Sequence, residues 1–228
     1  MRPGPRRSLT HAEILDAAFD LLEAKGFAAV SVRGVAGSLG ITPTALYTYY
    51  PSKRALLRGM IEHLLARLDV GADEHVAVTG ATTVDAVRAR VLRIALSLRE
   101  LLAGHAGALE LIMSGPLDGP NAMRLDEALL ESFATAGLAL DDAAPAVYAV
   151  RAYAFGSIAL QSAEVDVEAD AAASEPLIKT DVPGAALWTD LARFPLTEQA
   201  ATVTAQRNST AQFVWGVERL LDGLLARG

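Results

Sequence analysis

The stretch Val32-Arg33-Gly34-Val35-Ala36-Gly37-Ser38-Leu39-Gly40-Ile41-Thr42-Pro43-Thr44-Ala45-Leu46-Tyr47-Thr48-Tyr49-Tyr50-Pro51-Ser52-Lys53 decides how this chain reads. Val35, Leu39, Ile41, Leu46 and Tyr49 fall at the offsets that two short helices need to pack across a tight turn. Ala36 stands where the helices cross most closely, and Gly40 stands in the turn, where a positive φ is easy only without a Cβ. Thr42 can cap the second helix through its hydroxyl, and Pro43 at the first helical position loses no hydrogen bond, because that N–H has no acceptor in the helix. The pattern predicts a helix-turn-helix whose second helix starts at Pro43 and is shaped for a DNA major groove. The hydroxyls of Thr42, Thr44, Tyr47 and Tyr49 then lie near the end that meets base edges and phosphates. An ordinary helical hairpin in a bundle core shows the same spacing, so the flanks matter.

Upstream, Thr10-His11-Ala12-Glu13 is a capping box, followed by Ile14, Ala17, Ala18, Leu21 and Leu22 at helical spacing and closed by Gly26. Downstream, Ser52 can cap a fourth helix over Ser52 to Leu68 that carries Leu56, Leu57, Met60, Ile61, Leu64 and Leu65 on one face. Lys53 and Arg54 in its first turn oppose the helix dipole, which suits a phosphate opposite them and equally a solvated pair.

Val32 to Leu57 as a string, with Thr44-Ala45-Leu46-Tyr47-Thr48-Tyr49-Tyr50 and Ser52-Lys53-Arg54-Ala55-Leu56-Leu57, resembles the DNA-binding domain of the TetR family of bacterial repressors. The resemblance implies that Arg33, Thr42, Pro43, Thr44, Ala45, Tyr47, Tyr49 and Lys53 face DNA. Tyr49 also sits at a core offset, so packing and contact are both open to it.

The formal charge of −7 is unevenly spread: residues 1–67 hold nine Lys and Arg against five Asp and Glu, a net +4, and the remainder carries −11. A basic head on an acidic body is oriented by the field of a phosphate backbone. Met1 to Arg7, with three Arg, two Pro and a Gly, reads as a disordered arm that reaches a minor groove or only aids solubility. The expected division is a head over 1–68 and a helical ligand-binding and dimerisation domain over 69–228, an all-α chain. There is no cysteine, so no disulfide or thiolate chemistry is available. No signal-like apolar run and no uncharged apolar span of about 20 residues is present, and a cytoplasmic location without membrane contact is expected. Asn208-Ser209-Thr210 matches a glycosylation acceptor in form only.

Helices are expected over Thr83 to Ala103, His105 to Met113, Asn121 to Ala136, Asp142 to Ala163, Leu196 to Gln206 and Ser209 to Ala226, with breaks at Gly104, Gly115-Pro116 and Gly119-Pro120. Val165 to Trp188, acidic and broken by Pro176, Pro183 and Gly184, reads as a long loop that gates the interior or packs on the partner subunit, with Trp188 as an anchor, or is plain disorder. The segments near 144–163 and 209–226 are apolar on two faces, which suits a homodimer built as a four-helix bundle, with the two recognition helices about one DNA turn apart, roughly 34–36 Å.

The C-terminal part, through Leu138-Ala139-Leu140-Asp141-Asp142, Phe155-Gly156 and Phe213 to Gly223, is similar to that of the tetracycline repressors within the family. That similarity implies an inducer cavity and a fourth helix that moves on binding. Leu111 and Leu160 stand where metal ligands would be, and Asp69 where a drug-contacting histidine would be, so tetracycline and its metal are not expected, nor any cofactor. Leu111, Met113, Phe133, Tyr153 and Phe155 with His105, Arg151 and Gln161 would suit a hydrophobic or aromatic inducer. Enzyme motifs such as GxSxG and HExxH are missing, and the Gly34, Gly37, Gly40 spacing follows no strand. A helical enzyme acting on a small apolar substrate, and a constitutive DNA-binding protein, stand as the alternatives.

Overall fold

Hydroxyl side chains start six of the helices in this chain. Thr10, Ser31, Thr42, Ser52, Thr82 and Ser209 each accept a hydrogen bond from the backbone N–H three residues on, a contact worth about 1 kcal/mol per helix start. Two of these, Thr10 with Glu13 and Thr82 with Asp85, are full capping boxes. The structure is a computed structural model that describes residues 9–71, 82–105, 107–173, 194–196, 199–200 and 209–226, with 162–173 as backbone alone.

Among the described residues there are nine α-helices and no strand: α1 His11–Lys25, α2 Val32–Ser38, α3 Pro43–Tyr47, α4 Lys53–Leu65, α5 Thr83–Ala103, α6 Ala108–Ser114, α7 Pro120–Thr135, α8 Leu140–Ala173 and α9 Thr210–Leu225. The all-α reading therefore holds. A short 3-10 turn, Phe27–Ala29, joins α1 to α2. The apolar core runs without a gap from Ile14 and Leu22 on α1, through Leu46 on α3 and Met60 on α4, to Phe133 on α7 and Phe213 on α9. Helix α4 carries this continuity. Its buried residues Leu56, Leu57, Met60, Ile61, Leu64 and Leu65 serve a helix packed on α1 and also on α6 and α7.

Three boundaries differ from those expected. The helix placed over His105 to Met113 begins at Ala108, because Gly107 takes φ +77° as its N-cap and the preceding residues form the turn from α5. The fourth helix spans Lys53–Leu65 and stops short of Leu68, its last turns closed by Ala66, Arg67 and Leu68 amides on the carbonyls of Glu62, Leu64 and Leu65. The largest difference is α8, which continues to Ala173 where a loop was expected from Val165. Residues 164–173 lack Gly and Pro and include four Ala, so their acidity does not break the helix. The rest of that loop with Trp188, the arm Met1 to Arg7, and most of Leu196 to Gln206 lie outside the described residues.

Helix α8 from Leu140 to Gln161 is long and apolar enough to cross a membrane by length and composition. Its inner face, with Ala143, Ala146, Val147, Val150, Ala154 and Ile158 buried, packs on α5, α7 and α9 as a core helix does. The other face leaves Leu140, Tyr148 and Leu160 exposed, and Trp215 on α9 is exposed as well.

Candidate nucleic-acid interface

The helix-turn-helix is α2, a turn and α3. Ser31 caps α2, and Val32, Val35 and Ala36 are buried against α1 and α3. Gly40 adopts φ +66° in the turn, and the Ile41 amide returns to the Ala36 carbonyl at 3.0 Å. Thr42 then caps α3, its Oγ1 accepting from the Ala45 amide at 3.3 Å, with Pro43 at the first helical position. Leu46 is the buried anchor of this short helix.

That anchor fixes which side of α3 faces out. Arg33, Thr42, Pro43, Thr44, Ala45, Tyr47 and Lys53 are all exposed, whereas Tyr49 is half-buried. Thr48 turns its hydroxyl back on the Ala45 carbonyl at 2.6 Å and tightens the end of α3. Lys53, first residue of α4, lies over the Phe27 ring with its ammonium 4.9 Å from the centroid, so the side chain is braced by the turn between α1 and α2.

The sequence gives no notice of what lies behind Tyr49. Tyr50 is buried, its ring packed on Gly59 of α4, and its hydroxyl meets His11 Nδ1 at 3.1 Å. Burial pushes the Tyr50 phenol up from its ordinary value, so it stays protonated. The His11 imidazole meets both tyrosine rings edge-on, with centroids 5.4 Å from Tyr49 and 5.3 Å from Tyr50.

Away from this face, α4 is clamped to the segment around α7. Glu62 accepts from the amides of Asn121 at 2.6 Å and Ala122 at 3.2 Å, and Asn121 Nδ2 donates to the Glu62 carbonyl at 3.0 Å. Arg124 Nη2 donates to the carbonyls of Leu65 and Leu68 at 3.2 and 3.3 Å. Arg58 holds Asp118 with two hydrogen bonds, 2.7 Å from Nε and 2.5 Å from Nη2. That pairing draws the Asp118 carboxyl below its ordinary range and raises the Arg58 guanidinium. Gly119 makes room for the clamp, since a Cβ there would overlap the Glu62 carboxyl group. One signal in the sequence pointed this way: a carboxylate in the last turn of a helix opposes the dipole and needs another partner.

The residues expected to hold an inducer fall in several places. His105 sits at the α5–α6 turn, where its Nδ1 meets Glu23 of α1 at 3.1 Å and its Nε2 meets Arg67 at 3.0 Å. It lines an open cleft of about 270 Å³ with Phe19, Asp20, His63 and Leu64. Beside it, Gly107 approaches α1 so closely that a Cβ would come within 2.8 Å of Leu22 Cδ1. Leu111 and Phe133 are fully buried core, whereas Met113 is 67% exposed and turns away from the interior. Arg151 pairs with Asp126 at 2.6 Å and lies over Phe155. Tyr153 donates towards the α9 carbonyls of Gln212 and Phe213, and Gln161 accepts from Arg99 at 2.8 Å. No group of three or more His, Asp or Glu that could hold a metal ion occurs among the described residues.

A short helix carrying exposed hydroxyls, capped at Thr42, packed on α2 and backed by a larger helical body, is the architecture of a DNA-binding regulator. Residues 14–60 match the model of bacterial regulatory proteins of the tetR family, and residues 79–227 match the tetracyclin repressor-like C-terminal domain. The chain belongs to the TetR family of DNA-binding transcriptional regulators. It is similar to the HTH-type transcriptional repressor DrrR1 of Streptomyces coeruleorubidus, 26% identical over 97% of this chain and 79% of that protein. Among solved structures, a possible TetR family transcriptional regulator from Streptomyces coelicolor A3(2) superposes with a TM-score of 0.75 at 26% identity, covering 96% of this chain and all of that one. ActR of Streptomyces coelicolor, solved in complex with actinorhodin, shares the fold with a TM-score of 0.75 at 22% identity, over 97% and 98% of the two chains.

Proposed function

We propose that the protein is a repressor that binds a palindromic operator as a homodimer and leaves it when a small hydrophobic or aromatic inducer enters the helical body. The carrying observation is the outward set Arg33, Thr42, Pro43, Thr44, Ala45, Tyr47 and Lys53 around the buried anchor Leu46, with Tyr49 at its edge. In this reading Arg33 and Lys53 neutralise phosphates, while Thr44, Ala45 and Tyr47 meet base edges. Residues 1–68 form the DNA-binding domain and 69–228 the ligand-binding and dimerisation domain.

The outer faces of α8 and α9, with Tyr148 and Trp215 exposed, support a two-fold four-helix interface that places two recognition helices on one DNA face. Inducer shifts the dimer towards a state in which α4 sits differently and the heads no longer match the operator spacing. Support for a small-molecule inducer comes from the apolar interior of the body and from actinorhodin bound in the ActR complex, a protein of the same fold. The protein acts in the cytoplasm, where its DNA lies, and without catalysis.

Binding to the DNA upstream of its own gene, and to duplexes drawn from a random-sequence pool, followed across a salt titration, tests this reading. Tight, site-specific, salt-sensitive binding that is lost in Tyr47→Ala and Lys53→Ala is the expected result. Weak binding indifferent to sequence in both experiments would overturn it.

A further inference from the structure

Among the described residues the imidazole of His11 is hydrogen-bonded through one nitrogen only. Its Nδ1 faces the Tyr50 hydroxyl at 3.1 Å, and its ring is wedged edge-on between Tyr49 and Tyr50. The Tyr50 hydroxyl has no other hydrogen-bond partner among the described residues, and a buried phenol needs an acceptor for its proton. The arrangement that satisfies it has Tyr50 donating to an unprotonated Nδ1. The ring proton then lies on Nε2, which has no partner among the described residues, and the His11 side chain is exposed. Tyr49, at the edge of the outward face of α3, is the ring it leans on.

We propose that His11 is an additional DNA-contacting residue that donates its Nε2 hydrogen to a backbone phosphate, with Tyr50 setting the tautomer and Tyr49 the ring plane. The inference rests on the DNA-binding reading above. The contact is an oriented neutral donor, made by a residue that begins α1 and lies outside the helix-turn-helix. It fixes the angle of α1 on the duplex and carries no base sequence. A ring locked on one side by a hydrogen bond and on two sides by aromatic edges loses little freedom on meeting the phosphate.

The test uses the full-length protein labelled with 15N in its four histidines and a duplex that the wild-type protein selects from a random-sequence pool. His11→Leu assigns the His11 signals. The expected spectrum of the free protein has Nδ1 unprotonated and Nε2 protonated, with the Nε2 signal moving when the duplex is added. His11→Leu should bind about five-fold more weakly, and His11→Gln, which keeps an amide donor at the same reach, should recover most of that loss at unchanged Tm. A protonated Nδ1, or a Nε2 signal unmoved by the duplex, overturns the proposal whatever the affinities of the variants. So does wild-type affinity in His11→Leu while Lys53→Ala loses binding, and there the DNA-binding reading survives. A wild-type protein that selects no duplex removes both.

Discussion

Glu62 and Arg124 each cap the helix that carries the other. The carboxylate on α4 accepts from the first free amides of α7, and the guanidinium on α7 donates to the carbonyls of Leu65, the last residue of α4, and of Leu68 just beyond it. The C-terminal end of one helix dipole thus meets the N-terminal end of the next, with a side chain of the right sign at each end. Glu62→Ala strands two amides and is expected to cost about 2 kcal/mol in urea unfolding. Glu62→Gln, which keeps an acceptor without the charge, should cost less than half of that. Equal losses would assign the effect to packing.

Asp118 gives the junction a pH dependence of known sign. Its pKa is lowered, chiefly by the hydrogen bond from Arg58, so its contribution is present above the ordinary aspartate value of about 3.9 and is lost as pH falls through the lowered folded value. Stability measured by urea between pH 7 and strong acid should therefore fall less steeply in Asp118→Asn than in wild type below about pH 4. Parallel curves would show that the pair adds nothing in solution, as exposed pairs often do.

Lys53, proposed to meet a phosphate, is braced over the Phe27 ring. Lys53→Ala should weaken operator binding and lower the slope of log K against log salt by about 0.9 per site. Phe27→Leu keeps the charge and removes the brace, so affinity should fall by less while the slope stays that of wild type. A changed slope in Phe27→Leu would show that the ring does more than position the ammonium.

Gly216 on α9 exists for the sake of Tyr153. A Cβ at that position would overlap the phenol hydroxyl that reaches for the Gln212 and Phe213 carbonyls. Gly216→Ala is expected to destabilise by about 2 kcal/mol through overpacking, and Tyr153→Ala in the same chain should make the second change nearly free. Additive losses would place the strain elsewhere.

Tyr148 and Trp215 test the dimer. Tyr148→Asp puts a charge into the face proposed to be covered by the partner, so sedimentation should show monomers at concentrations where wild type is dimeric, with Trp215 emission shifted to the red. An unchanged dimer would move the interface off α8.

What could be read from the sequence was local. The starts of α1, α3 and α4 follow from side chains bonding the backbone three residues away, so Thr10, Thr42 and Ser52 announce their helices wherever the chain goes. The outward face of α3 follows from Leu46 alone. The contacts that join separate helices were not legible: Glu62 and Asn121 stand 59 residues apart, and His11 and Tyr50 stand 39 apart. The end of α8 is hidden for another reason: between Glu164 and Ala173 acidic composition suggests a loop, while helix propensity carries the backbone on. The eight residues grouped as a ligand set share apolar or polar character only, and character does not bring Met113 and Phe133 to one place.

The contact of Gly107 with Leu22 differs mechanically from the clamp on α4. Hydrogen bonds and ion pairs resist being pulled apart as well as pushed together. Two surfaces in van der Waals contact resist compression steeply and extension hardly at all. The Gly107 contact can therefore push α1 but cannot draw it back, and a pull from that turn passes instead through the His105–Glu23 pair, whereas Glu62 and Arg124 transmit force in both directions. A push on α1 from the α5–α6 turn thus travels through packed carbon and a pull through a side-chain pair, so inward and outward displacements of that turn reach the helix-turn-helix along different routes.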